Sequence, residues 1–264
     1  MGEVLGIDVS HHQGMIDWEK VAKDGKKFAI IKAQYEAQSH RKDEYFERNY
    51  TEAGKYGIAR GVYIYIARAS MENPIADAQS LLDHLAGRKL EYGIWLDLED
   101  KSVDVKGKAY ITNLAHQYAD IFMRAGYYVG IYSNLDWYTR LISSELKADY
   151  DFWFARYPKN DTGIYNPTSS LKPSGNIAVA WQYSSKGNVA GIKTKCDLDV
   201  DYDGIVSLIA QTPHRKTVEE IAKEVIDGKW GTKSTNPTRK QMLERAGYNY
   251  EAVQRVVNIM LMKS

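Results

Sequence analysis

Short apolar runs alternate along the chain with longer amphipathic stretches. The runs read VLGIDV, FAIIKA, GVYIYIA, YGIWLDLE, YYVGIYS, FWFARY and IAVAWQY, each the length and character of a strand buried on both faces. Between them the apolar positions recur at helical spacing around Lys42 to Tyr56, Asn73 to Leu85, Lys108 to Ala125 and Leu135 to Leu141. Strands alternating with helices predict parallel β/α units, and so many of them favour closure into a barrel. An open doubly wound sheet is the alternative. The stretch after the first strand, GIDVSHHQG, has no glycine-rich phosphate loop of the kind such sheets carry. The later strands have few helices between them, which predicts an irregular barrel.

After Ile209 the pattern changes. AQTPHRKT, with Pro213, reads as a linker. Thr217 with Glu220 has the capping-box spacing and opens a helix through VEEIAKEVIDG that Gly228 ends. A second helix is predicted from Thr238 to Ala246, stopped by Gly247, and a third from Tyr250 to Leu261 with Val253, Val256, Val257 and Met260 on one face. The expected organisation is a large α/β domain over residues 1–210, a linker at 211–216 and a small three-helix module over 217–264.

A length of 264 residues with 44% hydrophobic composition suits one large core and one small one. The net charge of +1 argues against a general nucleic-acid binder. That charge is unevenly placed: residues 214–264 hold ten Lys or Arg against six Asp or Glu, leaving 25 against 28 before them. A basic tail of this kind suits an anionic surface. A single cysteine, Cys196, excludes an intrachain disulfide and a cysteine-rich metal site. Residues Met1 to Gly6 lack the features of a secretory leader, and no stretch has the ~20 apolar residues of a spanning helix, so no membrane insertion is expected.

Carboxylates stand at the ends of several strand-like runs: Asp8 after the first, Asp97 and Glu99 in WLDLED, and Asp197 and Asp199 in CDLDVDYDG. Strand side chains two apart point the same way, about 6.5 to 7 Å apart, so Asp97 and Glu99 can face one substrate. Together GIDVSHHQG, FAIIKA, WLDLED, GIYSN, FWFARY, WQYSS and CDLDV resemble the family 25 glycoside hydrolases, the Chalaropsis-type lysozymes, from about Gly6 to Ile209. That resemblance implies an irregular TIM-like (β/α)5(β)3 barrel. It also implies cleavage of the β-1,4 bond between N-acetylmuramic acid and N-acetylglucosamine in bacterial peptidoglycan, with no cofactor. Glu99 then corresponds to the general acid, and Asp8, Asp97 and Asp197 to the acidic residues around it. At Asp199 the family usually has asparagine. A retaining enzyme with a direct nucleophile wants its carboxyls about 5 to 5.5 Å apart. The wider strand spacing favours attack by the substrate's own acetamido oxygen, supported by Asp97, with inversion through water activated by Asp8 or Asp197 as the other route.

Lys32, Tyr63, Tyr65, Tyr132, Trp153 and Trp181 fall on or near strand ends, as do Tyr157 and Tyr183, where rings stack on sugars or simply pack the core. Lys32 suits a substrate carboxylate or a structural ion pair with Asp97 or Asp8. His11 and His12 have no partner set for a metal and read as polar loop residues beside Asp8. The tail resembles the CW-seven type of cell-wall-binding repeat through GKWG at 228–231 and RAGY at 245–248. That implies muropeptide binding, with Trp230 and Arg239 as candidate contacts, Trp230 equally serving as a capping core residue. One copy of a repeat often found in tandem points to oligomerisation or to the enzyme's own groove for avidity. The resulting expectation is an endolysin held in the host cytoplasm until released to the wall. A bacterial autolysin and a non-catalytic wall-binding protein are the alternatives.

Overall fold

The computed structural model describes residues 2–35, 40–202, 204–206, 216, 218–246, 248 and 250–262. The linker residues 211–215 with Pro213, the Thr217 cap and the Gly247 stop lie outside them. Eight strands form a closed barrel in chain order: β1 (Val4–Val9), β2 (Phe28–Lys32), β3 (Ala59–Tyr65), β4 (Ile94–Asp97), β5 (Val129–Asn134), β6 (Phe152–Ala155), β7 (Ala180–Gly187) and β8 (Cys196–Asp201). Neighbours from β1 to β7 pair in parallel, whereas β8 runs antiparallel to both β7 and β1.

The first five strands each lead into helix. α1 (Trp18–Lys23) follows β1, α2 (Phe46–Lys55) follows β2, and α3 (Arg68–Glu72) and α4 (Pro74–Leu85) follow β3. α5 (Lys101–Asp104) and α6 (Lys108–Arg124) follow β4, and α7 (Leu135–Arg140) and α8 (Ser144–Asp149) follow β5. Asn73 caps α4 through the Ala76 amide, with Pro74 at the first turn. On α6, Ile111, Leu114, Ala115, Tyr118 and Phe122 are buried at helical spacing, against β4, β5 and α4. Asp77 on α4 accepts from Tyr118 at 2.7 Å and from Gln34 Nε2 at 2.8 Å, so the polar group this layer buries is satisfied.

Alternation along each strand separates two apolar sets. Ile7, Ile31, Ile64, Leu96, Ile131 and Phe154 pack outward under the helices. Phe28, Tyr92, Trp95 and Trp153 fill the lower barrel interior. Small residues on neighbouring strands make the room: a Cβ at Gly6 would meet the Phe28 ring at 2.4 Å, and one at Gly130 would meet Trp95 at 2.3 Å. Phe28 stacks on Tyr92 at 4.2 Å, while Trp95 meets Trp153 edge-on at 6.0 Å. The barrel interior is therefore plugged at one end.

The last three described helices are α9 (Val218–Ile226), α10 (Arg239–Arg245) and α11 (Tyr250–Met262). Val218, Ile221, Ala222, Val225, Leu243, Val253 and Val257 make their core, with Val256 and Met260 partly buried beside it. Gly228, at φ +79, ends α9 by donating to Val225 O. These helices pack on the C-terminal end of α4. A cleft of about 190 Å³ lies between Leu82, Ala86 and Tyr127 on one side and Val218, Val256 and Ile259 on the other, and Arg255 pairs with Asp83 at its edge.

Candidate active site

Register brings the acidic residues together. Asp8 is paired across the sheet with Asp197, and Gly6 with Asp199. Because β8 is antiparallel, its first residues lie at the same rim as the last residues of β1. This corrects the expectation that Asp197 ends its strand: it stands near the beginning. Asp97 is the last residue of β4, level with Tyr65 and Tyr132. Beyond it Leu98 is fully buried on the outer side, and its amide donates to Tyr132 O at 3.1 Å, which keeps the alternation going and returns Glu99 to the mouth.

The electrostatics of the mouth favour a retained proton. Burial pushes the Glu99 carboxyl up, and the nearby Asp197 and Asp100 charges push it further. Burial would also raise Asp100, but hydrogen bonds from Ser102, with a further one from Tyr65 at 2.9 Å, outweigh it and hold that carboxyl below its ordinary value. Asp100 is thus a fixed negative charge beside Glu99, and it caps α5 through the Ser102 amide. Asp197 is pushed up to about 6 by burial and by Asp161. Asp161 is partly desolvated as well, yet bonds from Ser184 Oγ at 2.6 Å and the Gly163 and Ser185 amides lower it overall.

Lys32, 6% exposed, points its ammonium among Tyr35, Tyr63 and Tyr65, 5.9 Å from each ring centre. Tyr63 feels Asp8, Asp97 and Asp197 at once, and burial followed by those charges raises its phenol well above the ordinary value. Tyr132 is buried and donates to Gln182 Oε1 at 2.9 Å, and Tyr157, 39% exposed, donates to the same oxygen. Gln182 Nε2 donates in turn to Asp8 Oδ2 at 2.7 Å. His11 hydrogen-bonds Asp43 at 2.9 Å, and its ring lies tilted against those of His12 and Tyr35, a polar position just past the end of β1.

Two predicted sugar platforms are placed elsewhere. Trp153 is 2% exposed, in the barrel interior, and its Nε1 donates to Asp199 Oδ1 at 2.8 Å. Trp181 is equally buried, but on the outer face with Tyr165 and Tyr183, and donates to Arg156 O at 2.9 Å. Neither ring is available to a ligand in this arrangement. In the module, Trp230 is partly buried, edge-on to Tyr248 at 5.9 Å, and donates to Glu224 at 3.0 Å. The Arg239 guanidinium donates to Gly231 O at 3.0 and 2.9 Å, closing the loop between α9 and α10. The residues that sequence reasoning missed are Gln182, Asp100 and Asp161. Gln182 lies inside WQYSS and betrays itself only by strand parity, opposite in face to Trp181.

The arrangement is a plugged α/β barrel with a largely buried glutamate, its carboxyl raised, among aspartates at its open end. A sequence profile described as "Glycosyl hydrolases family 25" matches residues 7–192, well over half of the chain. The chain belongs to glycosyl hydrolase family 25. A second profile, described as "CW_7 repeat", matches residues 219–261. Among family relatives, Lysozyme M1 of Streptomyces globisporus is 32% identical over 206 residues, 74% of this chain and 66% of that protein. The autolytic lysozyme of Clostridium acetobutylicum is 28% identical over 204 residues, 76% of this chain and 56% of that one. The chain therefore spans just under two thirds of the first and a little over half of the second. The bacterial lysozyme of Streptomyces coelicolor superposes on this family 25 barrel with a TM-score of 0.57 at 26% identity, covering 79% of this chain and 97% of that one.

Proposed function

We propose that this chain is an N-acetylmuramidase that cleaves the β-1,4 bond between N-acetylmuramic acid and N-acetylglucosamine in bacterial peptidoglycan. The observation that carries the reading is Glu99, a carboxyl raised by burial and flanked by Asp197 and Asp100 at the open end of a family 25 barrel. A carboxyl in that setting enters the reaction protonated and can give its proton to the leaving glycosidic oxygen. Asp97, inward and one alternation deeper, orients the substrate's acetamido group, whose oxygen attacks the anomeric carbon. Asp8 and Asp197 shape the site from the opposite wall. Lys32, with Tyr63 and Tyr65, offers a positive, ring-lined spot for the lactyl or peptide carboxylate of the glycan.

The match to the wall-binding repeat supports a second contact with the wall through the C-terminal helices. Their partly buried Trp230 and bonded Arg239 support a role in shaping that surface. No described helix is long and apolar enough to cross a membrane.

The test is release of new reducing ends from purified Gram-positive peptidoglycan, with mass spectrometry of the fragments. Wild type is expected to yield fragments ending in reducing N-acetylmuramic acid. Glu99→Gln is expected to lose about 10²- to 10⁴-fold in rate, the contribution of a positioned acid, while still binding walls. Intact glycan from a wild type that binds walls tightly would overturn the reading in favour of a binding protein.

A further inference from the structure

Beneath the mouth, Asp8 and Asp199 form a pair that the catalytic reading leaves unexplained. Asp199 is fully buried and Asp8 nearly so. Asp199 Oδ1 accepts from Trp153, but Oδ2 accepts from no N–H or O–H group among the described residues. The Asp8 carboxyl lies within hydrogen-bonding reach of Asp199, and Asp8 Oδ2 accepts from Gln182. Two carboxylates cannot bond to each other without a proton, and a buried acceptor left unmatched is costly.

We propose that Asp8 and Asp199 hold one proton between them, and that Asp199 is thereby a positioning residue which fixes Asp8, Gln182 and the exposed ring of Tyr157 as one wall of the cleft. The bond from Gln182 Nε2 to Asp8 sets which way the amide faces. Its Oε1 must then meet the hydroxyls of Tyr132 and Tyr157. The orientation of a ring at the mouth is in this way tied to a proton held deeper in the barrel.

The surroundings favour the shared proton. Burial raises both carboxyls well above their ordinary value, and the Asp197 charge acts on each in the same direction. The Asp199 charge acts on Tyr157 in the β6–β7 connection, on Tyr183 on the outer face of β7 and on Tyr92 just before β4. Tyr63 and Tyr132 face Asp8 from β3 and β5, and Cys196 faces both carboxyls from the rim of β8, with Lys26 acting on it from the β1–β2 side. Tyr63, Tyr132, Tyr92 and Cys196 are all raised well above their ordinary values and Tyr157 and Tyr183 are raised too, so the setting favours the neutral form of each.

A pair raised in the folded state stabilises the fold at low pH, and that contribution is lost as pH rises through the folded titration. Asp199→Asn keeps the shape and the bond to Asp8 without the titrating proton. Its melting temperature is expected to match wild type within about 1 °C near pH 4, about the unfolded carboxyl value, and to exceed it by a margin that widens with pH, to about 5 °C in alkali. The role in the cleft rests on the muramidase reading. In the full-length enzyme, KM for soluble glycan is expected to rise at least about threefold between neutral and alkaline pH in wild type, and not in the variant, with kcat changing less. A melting difference that does not vary with pH would overturn the shared proton, and an identical alkaline KM profile in the two proteins would overturn the positioning role. Infrared difference spectra of wild type against Asp8→Asn at neutral pH give a check that requires no folded Asp199 variant: the protonated-carboxyl carbonyl band must be stronger in wild type, and its equality in the two refutes the pair. Melting and infrared readings use no substrate, so they stand if the muramidase reading fails.

Discussion

The two ends of the barrel interior are built from the same strands and obey opposite rules. At the closed end, Phe28, Tyr92, Trp95 and Trp153 fill the space with rings, each set against a glycine or another ring. At the open end, the inward positions of β1, β2, β4, β5 and β7 are Asp8, Lys32, Asp97, Tyr132 and Gln182. The closed end is optimised for packing and the open end is not. The comparison teaches that the second depends on the first: without a dry floor, the carboxyls above it would be solvated and would titrate as ordinary acids.

The largest expected effect comes from removing the floor. Trp95→Ala deletes a fully buried indole whose N–H donates to Tyr92 O at 2.8 Å, and should cost about 3 to 5 kcal/mol of stability by denaturant titration. If the ends are coupled as argued, any folded fraction should also show the alkaline limb of its activity moved to lower pH as water reaches Glu99. An unchanged limb would separate the two ends.

A smaller effect is expected from Asp197→Asn. Removing that charge takes away the second cause of the raised Glu99 carboxyl, so Glu99 loses its proton at lower pH and the alkaline limb moves down, by about half a unit to one unit. Stability should respond with the opposite sense at high pH. Asp197, at about 6 in the fold, sits above its unfolded value of about 3.9, so its contribution is present in acid and lost through pH 6. The asparagine variant should therefore melt like wild type in acid and above it in mild alkali.

The smallest is Trp153→Phe, which keeps the ring in the floor and removes only the bond to Asp199 in the layer above. A loss of about 1 to 2 kcal/mol, with catalytic rate nearly unchanged at neutral pH, is expected. A large fall in rate would mean that Trp153 touches substrate after all.

Periodicity made most of this fold legible. Seven strands and the long helices α2, α4 and α6 fall where alternation and helical spacing put them, because each buries a face whose pattern survives in the sequence. β8 escapes an apolar-run criterion for a physical reason. Its inward positions are Asp197 and Asp199 and its apolar Leu198 and Val200 face out, so a buried strand reads as a run of acids. The short helices α1, α3, α5 and α8 hold too few residues for a period to show. The acidic site residues were legible as a set of types. Trp153 and Trp181 were not placed correctly, since aromatic identity says a ring is buried somewhere and only strand parity says on which side. Parity depends on register, which for β6 and β7 is fixed by pairing with distant strands.

The antiparallel β8 has one more consequence. Val4 pairs with Asp201 at the closed end of the barrel, so the polypeptide both enters and leaves the barrel there, on the side opposite the cleft. If the proposed substrate is right, the glycan strand is a long polymer that must run past the mouth in both directions. Whatever is fused to either side of this barrel starts from its back, and the path of the polymer stays open. The same neighbourhood of the two crossing points makes the barrel a natural candidate for circular permutation, with residues 4 and 201 joined and new ends opened in an exposed loop elsewhere.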